Sequence, residues 1–152
     1  MDESMPEGLQ GAEIFWLRAQ DAFKGKDKSL WGDGFSHEDI NQGVIGNCWF
    51  LAAASAVAEK PERMAQVFLN KEKDLNRQGL YMMNFWQLGV PSTIVVDDYL
   101  PLREDKEKGS YKGYFAKPAR DGSMWPLFLE KAFAKLHGNY LHLEAGIPIL
   151  AV

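Results

Sequence analysis

Hydrophobic and polar positions alternate along this chain with two periods, one typical of helices and one typical of strands. The clearest helical pattern covers 125–137, where one broad apolar stripe contains Trp125, Phe128, Leu129, Ala132, Phe133 and Leu136. Ser123 stands where an N-cap is expected, Pro126 falls in the first turn, and Gly138 follows the last turn. We therefore predict a core helix with well-marked ends.

Shorter helices are predicted in three other places. The alanine-rich run that starts at position 48 has to end before Pro61, because the residue before a proline is pushed out of helical space. A helix over 62–69 is indicated by the i, i+3, i+4 spacing of Met64, Val67 and Phe68. Apolar residues at 14–17 predict a short amphipathic helix that stops near Gly25.

Strand-like runs rich in aromatic and β-branched residues lie between these helices. The runs at 80–86 and 92–96 are separated by a turn sequence containing Gly89, so they predict a β-hairpin. The run at 111–116 predicts a third strand, although Gly113 weakens that pattern. Helices are therefore expected to predominate over a small sheet.

Composition sets limits on the class of protein. With 152 residues, 46% of them apolar, the chain is long enough for one compact domain with a packed core. A formal net charge of −4 argues against a nucleic-acid partner, and no apolar run approaches the roughly 18 residues of a membrane span. The N-terminus lacks the pattern of a secretory signal, and a single cysteine cannot form an internal disulfide. These features favour a reducing, cytoplasmic location.

That single cysteine, Cys48, lies in a setting that suits a nucleophile. Glycines precede it and a predicted helix follows, so its sulfur is expected at a helix N-terminus, where free amides favour thiolate over thiol. Gln42, six residues earlier, is spaced to act as an oxyanion donor beside the Cys48 backbone N–H. From composition alone, a buried structural thiol is the commoner role of a free cysteine, so both alternatives stand.

The run QGVIGNCWFLAAASAV around Cys48 resembles the nucleophile segment of calpain-type cysteine proteases. The runs FWQLG, VVDDYLP and LEKAFAKLHG follow in that family's order and approximate spacing. The resemblance covers roughly 31–146 and corresponds to the first of the two lobes of a calpain protease core. It implies an α+β fold, the papain-like N-terminal lobe, which is mainly helical with a central cysteine-bearing helix and a small antiparallel sheet. We assign 31–152 to this lobe and 1–30 to an N-terminal extension with a short helix.

By this resemblance the chain is the nucleophile-bearing lobe of an intracellular endopeptidase that cleaves polypeptide substrates through an acyl-enzyme. Cys48 and Gln42 are its catalytic residues, and the histidine and asparagine of the family lie on the second lobe. In papain-like enzymes those residues follow the cysteine by about 130–150 positions, and this chain ends sooner. We expect the lobe to be inactive alone. The alternative is a noncatalytic calpain-like protein-interaction module.

The resemblance also implies a calcium site in this lobe, with backbone carbonyls of Gly32 and Gly34 and the carboxylate of Asp39 as ligands. Oxygen ligands of this kind are what calcium prefers. The family's second carboxylate falls at Ser123, which removes a negative ligand, and Asp121 replaces it only if the loop is rearranged. The alternative is a purely structural glycine turn in which Asp33 or Asp39 caps local amides.

Both neighbours of Cys48 carry an expectation. Asn47 stands where the calpain motif usually has an aspartate, which changes the local electric field at the sulfur. Trp49 is expected to form a wall of the core beneath the site rather than a substrate contact.

Overall fold

The computed structural model describes residues 13–23, 29–40, 46–87, 89–107, 109–148 and 151. Its helices are α1 (Ala19–Ala22), α2 (Cys48–Ala58), α3 (Pro61–Val67) and α4 (Trp125–Leu136), with 3-10 helices at His37–Asp39 and Leu141–Leu143. Its strands are β1 (Phe15–Arg18), β2 (Leu80–Gln87), β3 (Val90–Asp97), β4 (Tyr99–Asp105) and β5 (Ser110–Gly113). This combination confirms the α+β class. Within the described ranges, no helix is both long and apolar enough to cross a membrane.

The strands in the described ranges form two antiparallel sheets rather than one. Strands β2 and β3 make the predicted hairpin, with Met82 opposite Val95. The second sheet has the order β1-β4-β5, and its central strand was not predicted. Strand β5 ends at Gly113, earlier than the predicted 111–116. A Cβ atom at Gly113 would lie 2.0 Å from the carbonyl oxygen of Ala116, so the chain folds back tightly there.

The helix predicted over the apolar residues 14–17 is wrong, because Phe15–Arg18 is strand β1 and only Ala19–Ala22 is helical. Strand β1 pairs with β4, placing Leu17 opposite Leu100. Arg18 Nε donates to both carboxylate oxygens of Asp98 at 3.0 Å, which fixes the end of this pairing. Gly25, the predicted stop, lies outside the described residues, and the domain boundary after residue 30 stays a prediction.

Helix α4 confirms the strongest helical pattern of the sequence. Pro126 lies in its first turn, and Gly138 follows its end with a φ of +102°. The expected N-cap role of Ser123 is wrong, because Met124 occupies the N-cap position and the buried Ser123 Oγ has no hydrogen-bond partner among the described residues. The helix start is held instead by backbone amides: those of Met124 and Trp125 donate to the carbonyl of Leu30 at 3.1 and 2.8 Å.

Aromatic rings join α4 to the cysteine-bearing helix and to the hairpin. Phe133 of α4 stacks on Phe50 of α2 with ring centroids 4.0 Å apart. One turn earlier, Phe128 stacks on Tyr81 of β2 at 3.9 Å. The start of α2 is therefore anchored to a large aromatic core.

Helix α3 ends at Val67, two residues before the predicted 69, because Phe68 leaves the helix to form a bridge with Met83.

Candidate active site

Cys48 is the first residue of α2, and its side chain is exposed. The carbonyl oxygen of the preceding Asn47 accepts the first helical hydrogen bonds, from the amides of Phe50 at 3.0 Å and Leu51 at 3.1 Å. The predicted placement at a helix N-terminus is thus confirmed, and the alternative of a buried thiol is wrong. The amides of the first helical turn lack partners within the helix, so they are available to donate to an atom held beside the sulfur.

The proposed second oxyanion donor, Gln42, belongs to the segment 41–45, which lies outside the described residues. Its role as an oxyanion donor therefore stays a prediction.

Trp49 forms a wall beneath the cysteine, as expected. It is buried, and its indole N–H donates to the carbonyl oxygen of Leu143 at 2.7 Å. A Cβ atom at Gly146 would lie 2.4 Å from the indole ring, so only glycine lets the chain pass this close. The amide of Ala145 donates to the carbonyl of Gly46 at 3.2 Å. The segment 143–146 thus packs against the chain that leads into Cys48.

A buried polar pair lies directly behind the nucleophile. Asn47 is fully buried, and its Nδ2 donates to Glu130 Oε1 at 2.5 Å. The other carboxylate oxygen of Glu130 accepts the amide of Ala116 at 2.8 Å. Burial raises the pKa of Glu130 to about 7, although these two hydrogen bonds oppose the shift. The Asn47 side chain, expected to alter the field at the sulfur, is therefore held by a titratable group.

Sequence reasoning missed Glu130, although one signal was available. The positions three and four residues away along α4 are all apolar: Pro126, Leu127, Phe133 and Ala134. Those positions share a helical face, so a carboxylate among them is expected to be buried and to need hydrogen-bond donors.

None of the three histidines bonds to the Cys48 sulfur within the part of the chain that the structure describes. His37 lies in the 3-10 helix before the cysteine segment, and its carbonyl accepts the hydroxyl of Ser55 at 3.0 Å. The ring of His137 packs on Phe133, and burial, followed by the charge of His142, lowers the pKa of His137. His142 Nδ1 lies 2.6 Å from the His137 carbonyl oxygen.

The glycine loop expected to hold calcium is braced by Asp121. Gly32 and Gly34 have φ values of +46° and +133°, which favour glycine. Asp121 Oδ2 accepts the amide of Asp33 at 3.1 Å, and its Oδ1 accepts the amide of Ser123 at 2.9 Å. A Cβ atom at Gly32 would lie 1.8 Å from Asp121 Oδ2. Asp121 therefore reaches the loop directly, which the sequence did not predict.

Asp39, the expected carboxylate ligand, caps local backbone. Its Oδ2 accepts the amide of Ser36 at 3.1 Å, and the Ser36 hydroxyl accepts the amide of Glu38, which forms a capping box. Burial, and after it the negative charge of Asp121, raises the pKa of Asp39. The structural alternative, a capped glycine turn, is present in this geometry.

The oxygen atoms of these residues are also of the kind that binds calcium. Two carboxylates, from Asp39 and Asp121, are close enough to repel each other beside a loop of glycine carbonyls, and a divalent cation relieves such repulsion. No group of three or more His, Cys, Asp or Glu side chains suited to a metal occurs in the described ranges. Backbone carbonyls and water would have to complete the coordination.

Comparison with known proteins gives the family. The profile described as calpain family cysteine protease matches residues 3–152. Calpain-5 of Caenorhabditis elegans is 34% identical over 145 residues, which cover 92% of this chain and 21% of that protein. Calpain-13 of Rattus norvegicus is 34% identical over 140 residues (91% and 20%), and Calpain-12 of Homo sapiens is 33% identical over 146 residues (95% and 19%). The chain spans about a fifth of the length of these relatives. It belongs to the calpain family of cysteine proteases.

Proposed function

We propose that this chain is the nucleophile-bearing lobe of a calpain-like cysteine endopeptidase that cleaves polypeptides. The observation that carries the proposal is the exposed Cys48 at the first residue of α2. A sulfur in that position is accessible to substrate, and the free amides of the helix stabilise its thiolate. The rigid aromatic core beneath α2 holds it in place.

In this mechanism the Cys48 thiolate attacks the scissile carbonyl carbon, and the carbonyl electrons move onto oxygen. The Cys48 backbone N–H and the Gln42 side-chain amide stabilise that oxyanion. The oxyanion collapses and the C–N bond breaks, so the amine leaves with a proton supplied by a histidine. Water then hydrolyses the thioester and regenerates the thiol.

The proton carrier and its orienting residue are the histidine and asparagine of a second lobe, which we propose as the partner of this one. Substrate would lie extended in the cleft between the two lobes. On this basis the 152-residue chain alone hydrolyses no peptide, whereas the chain joined to that lobe does. We place the enzyme in the cytoplasm, because a reducing compartment preserves a free thiol.

Alkylation of Cys48 tests the proposal. Iodoacetamide at pH 7 should label Cys48 rapidly, as located by peptide mass spectrometry, and a calpain-type peptide aldehyde should slow the labelling. Gln42→Ala is the matched variant: it should leave the alkylation rate unchanged but reduce protection by the aldehyde, whose adduct carries an oxyanion. Cys48→Ser controls for labelling elsewhere. A sulfur that resists alkylation would instead favour the noncatalytic protein-interaction module.

We also propose that calcium binds between the Gly32–Gly34 loop and the carboxylates of Asp39 and Asp121. The ion would supply positive charge there and hold the loop, without taking part in the bond-breaking steps. Titration calorimetry with millimolar calcium should show binding heat, and Asp39→Asn and Asp121→Asn should each weaken it. A chain that gives no heat with calcium, and whose unfolding midpoint is unchanged by it, would refute this site.

A further inference from the structure

The buried pair formed by Asn47 and Glu130 connects the residue before the nucleophile to the middle of α4. Resting on the function proposed above, we propose that Glu130 is a positioning residue for Cys48, acting through its hydrogen bond to the Asn47 side chain. Glu130 does not touch the substrate. It holds the residue from which α2 starts.

The contacts of Asn47 explain why this hydrogen bond matters. The Asn47 carbonyl accepts the amides of Phe50 and Leu51, so its backbone orientation sets the direction in which the helix, and with it the Cys48 sulfur, projects. Its side chain is completely buried and points to Glu130 Oε1 at 2.5 Å. Asn47 makes no side-chain cap to its own helix. The Glu130 bond is therefore an external restraint on the residue preceding the nucleophile.

Glu130 is itself held firmly enough to act as that restraint. It is the sixth residue of α4, is 2% exposed, and accepts the Ala116 amide with its other oxygen. One carboxylate thus links α2, α4 and the segment after β5. A buried hydrogen bond of this kind, made to a charged group, is worth more than a neutral one.

The chemistry of the pair allows the link to survive a change of protonation. Asn47 Oδ1 is buried and has no partner among the described residues, so a half-turn of the amide would present an acceptor to a protonated Glu130. Burial raises the pKa of Glu130 to about 7, so both forms are accessible near neutral pH. Tyr140 and Glu130 line the same small cavity, and burial, followed by the charges of Glu130 and Asp97, raises the pKa of the buried Tyr140 hydroxyl.

Because either Asn47 or Glu130 can donate the hydrogen bond between them, four variants can test the link. Glu130→Leu removes the link, whereas Glu130→Gln keeps it, because glutamine accepts the Ala116 amide and donates to Asn47 Oδ1. Asn47→Asp places two carboxyl groups in contact, so the bond forms only when they share a proton. The double variant Asn47→Asp with Glu130→Gln restores a bond that needs no extra proton.

The measurement is the second-order rate of Cys48 alkylation by iodoacetamide between pH 5 and 9 in the 152-residue chain. Glu130→Leu should lose roughly tenfold in rate, because an unrestrained Asn47 lets the first turn of α2 shift and carry the sulfur out of its exposed position, while Glu130→Gln should stay within about threefold of the original chain. In Asn47→Asp the rate, corrected for the thiolate fraction, should fall as pH rises through neutrality. The double variant should abolish that fall. A purely structural role would not produce this pH dependence.

Asp98→Leu is the matched control, since Asp98 is an equally buried carboxylate that pairs with Arg18 of β1 rather than with the start of α2. It should destabilise the fold without changing the alkylation rate. Should Glu130→Leu fail to fold, the comparison of Asn47→Asp with the double variant decides alone. A reactive Cys48 with the same rate profile in all folded variants overturns this inference and leaves the proposed function intact. A Cys48 that is inert in the original chain overturns both.

Discussion

Replacing Gly32 with alanine is expected to lower the free energy of unfolding by about 2–5 kcal/mol. Gly32 has a φ of +46°, where an L side chain costs roughly 1–2 kcal/mol. The new Cβ would lie 1.8 Å from Asp121 Oδ2, so the carboxylate has to move. Moving it breaks the hydrogen bonds from the Asp33 and Ser123 amides, each worth roughly 0.5–1.5 kcal/mol at a partly exposed site.

Urea unfolding at equilibrium measures this effect, with Gly109→Ala as the control. Gly109 has a similar φ of +57°, but a Cβ atom there meets no described residue within 4 Å, so this variant should show only the backbone cost of roughly 1–2 kcal/mol. In an Asp121→Ala background the two glycine substitutions should cost the same. Equal costs for Gly32→Ala and Gly109→Ala in the original chain would refute the contact between Asp121 and the glycine loop.

Three further predictions concern stability. Because burial raises the pKa of Glu130 from 4.5 to about 7, the folded chain keeps this proton to higher pH than the unfolded chain. The unfolding free energy of the chain, measured in urea, should therefore fall by on the order of 3 kcal/mol between about pH 4.5 and pH 7. Glu130→Gln should flatten this dependence on pH. Arg18→Met should lower the unfolding midpoint, because it leaves the carboxylate of Asp98, whose side chain is 2% exposed, without this partner. Arg120 pairs with Glu38 at an exposed site, so Arg120→Met should lower the free energy of unfolding by less than about 1 kcal/mol. Equal shifts of the unfolding midpoint for Arg18→Met and Arg120→Met would contradict this reasoning. Ala145→Gly should raise the unfolding midpoint by about 3 °C, since Ala145 has a φ of +58°; an unchanged or lower midpoint would argue against strain there.

The sequence alone predicted those helices and strands for which the apolar pattern and the signals at the ends agree. Helix α4 combines an apolar stripe with Pro126 at its start and Gly138 after its end, and the structure has the helix within one residue of the prediction. The hairpin was equally clear from two strand-like runs around Gly89. Such elements are predictable because periodicity and end signals act over a few neighbouring residues.

The second sheet was decided only by long-range pairing. Residues 14–17 are all apolar, a pattern that suits a helix and a strand alike, and pairing with β4 selects the strand. Strand β4 was not predicted; it lies between β1 and β5 although it contains Pro101, a residue usually confined to edge strands. No local signal distinguishes these cases, since the free energy that settles them comes from partners many residues away.

For the site, the sequence placed Cys48 at the start of an alanine-rich helix, because glycines before the cysteine and helix formers after it are local features. It also predicted Gly32, Gly34 and Asp39 as one cluster by resemblance. The contacts between Asn47 and Glu130, and between Asp121 and the Gly32 loop, appear only in the tertiary structure. Each joins positions more than 80 residues apart. Whether a carboxylate is solvated, or buried and held by amides, depends on how the helices and loops pack, and that packing decides what surrounds the nucleophile.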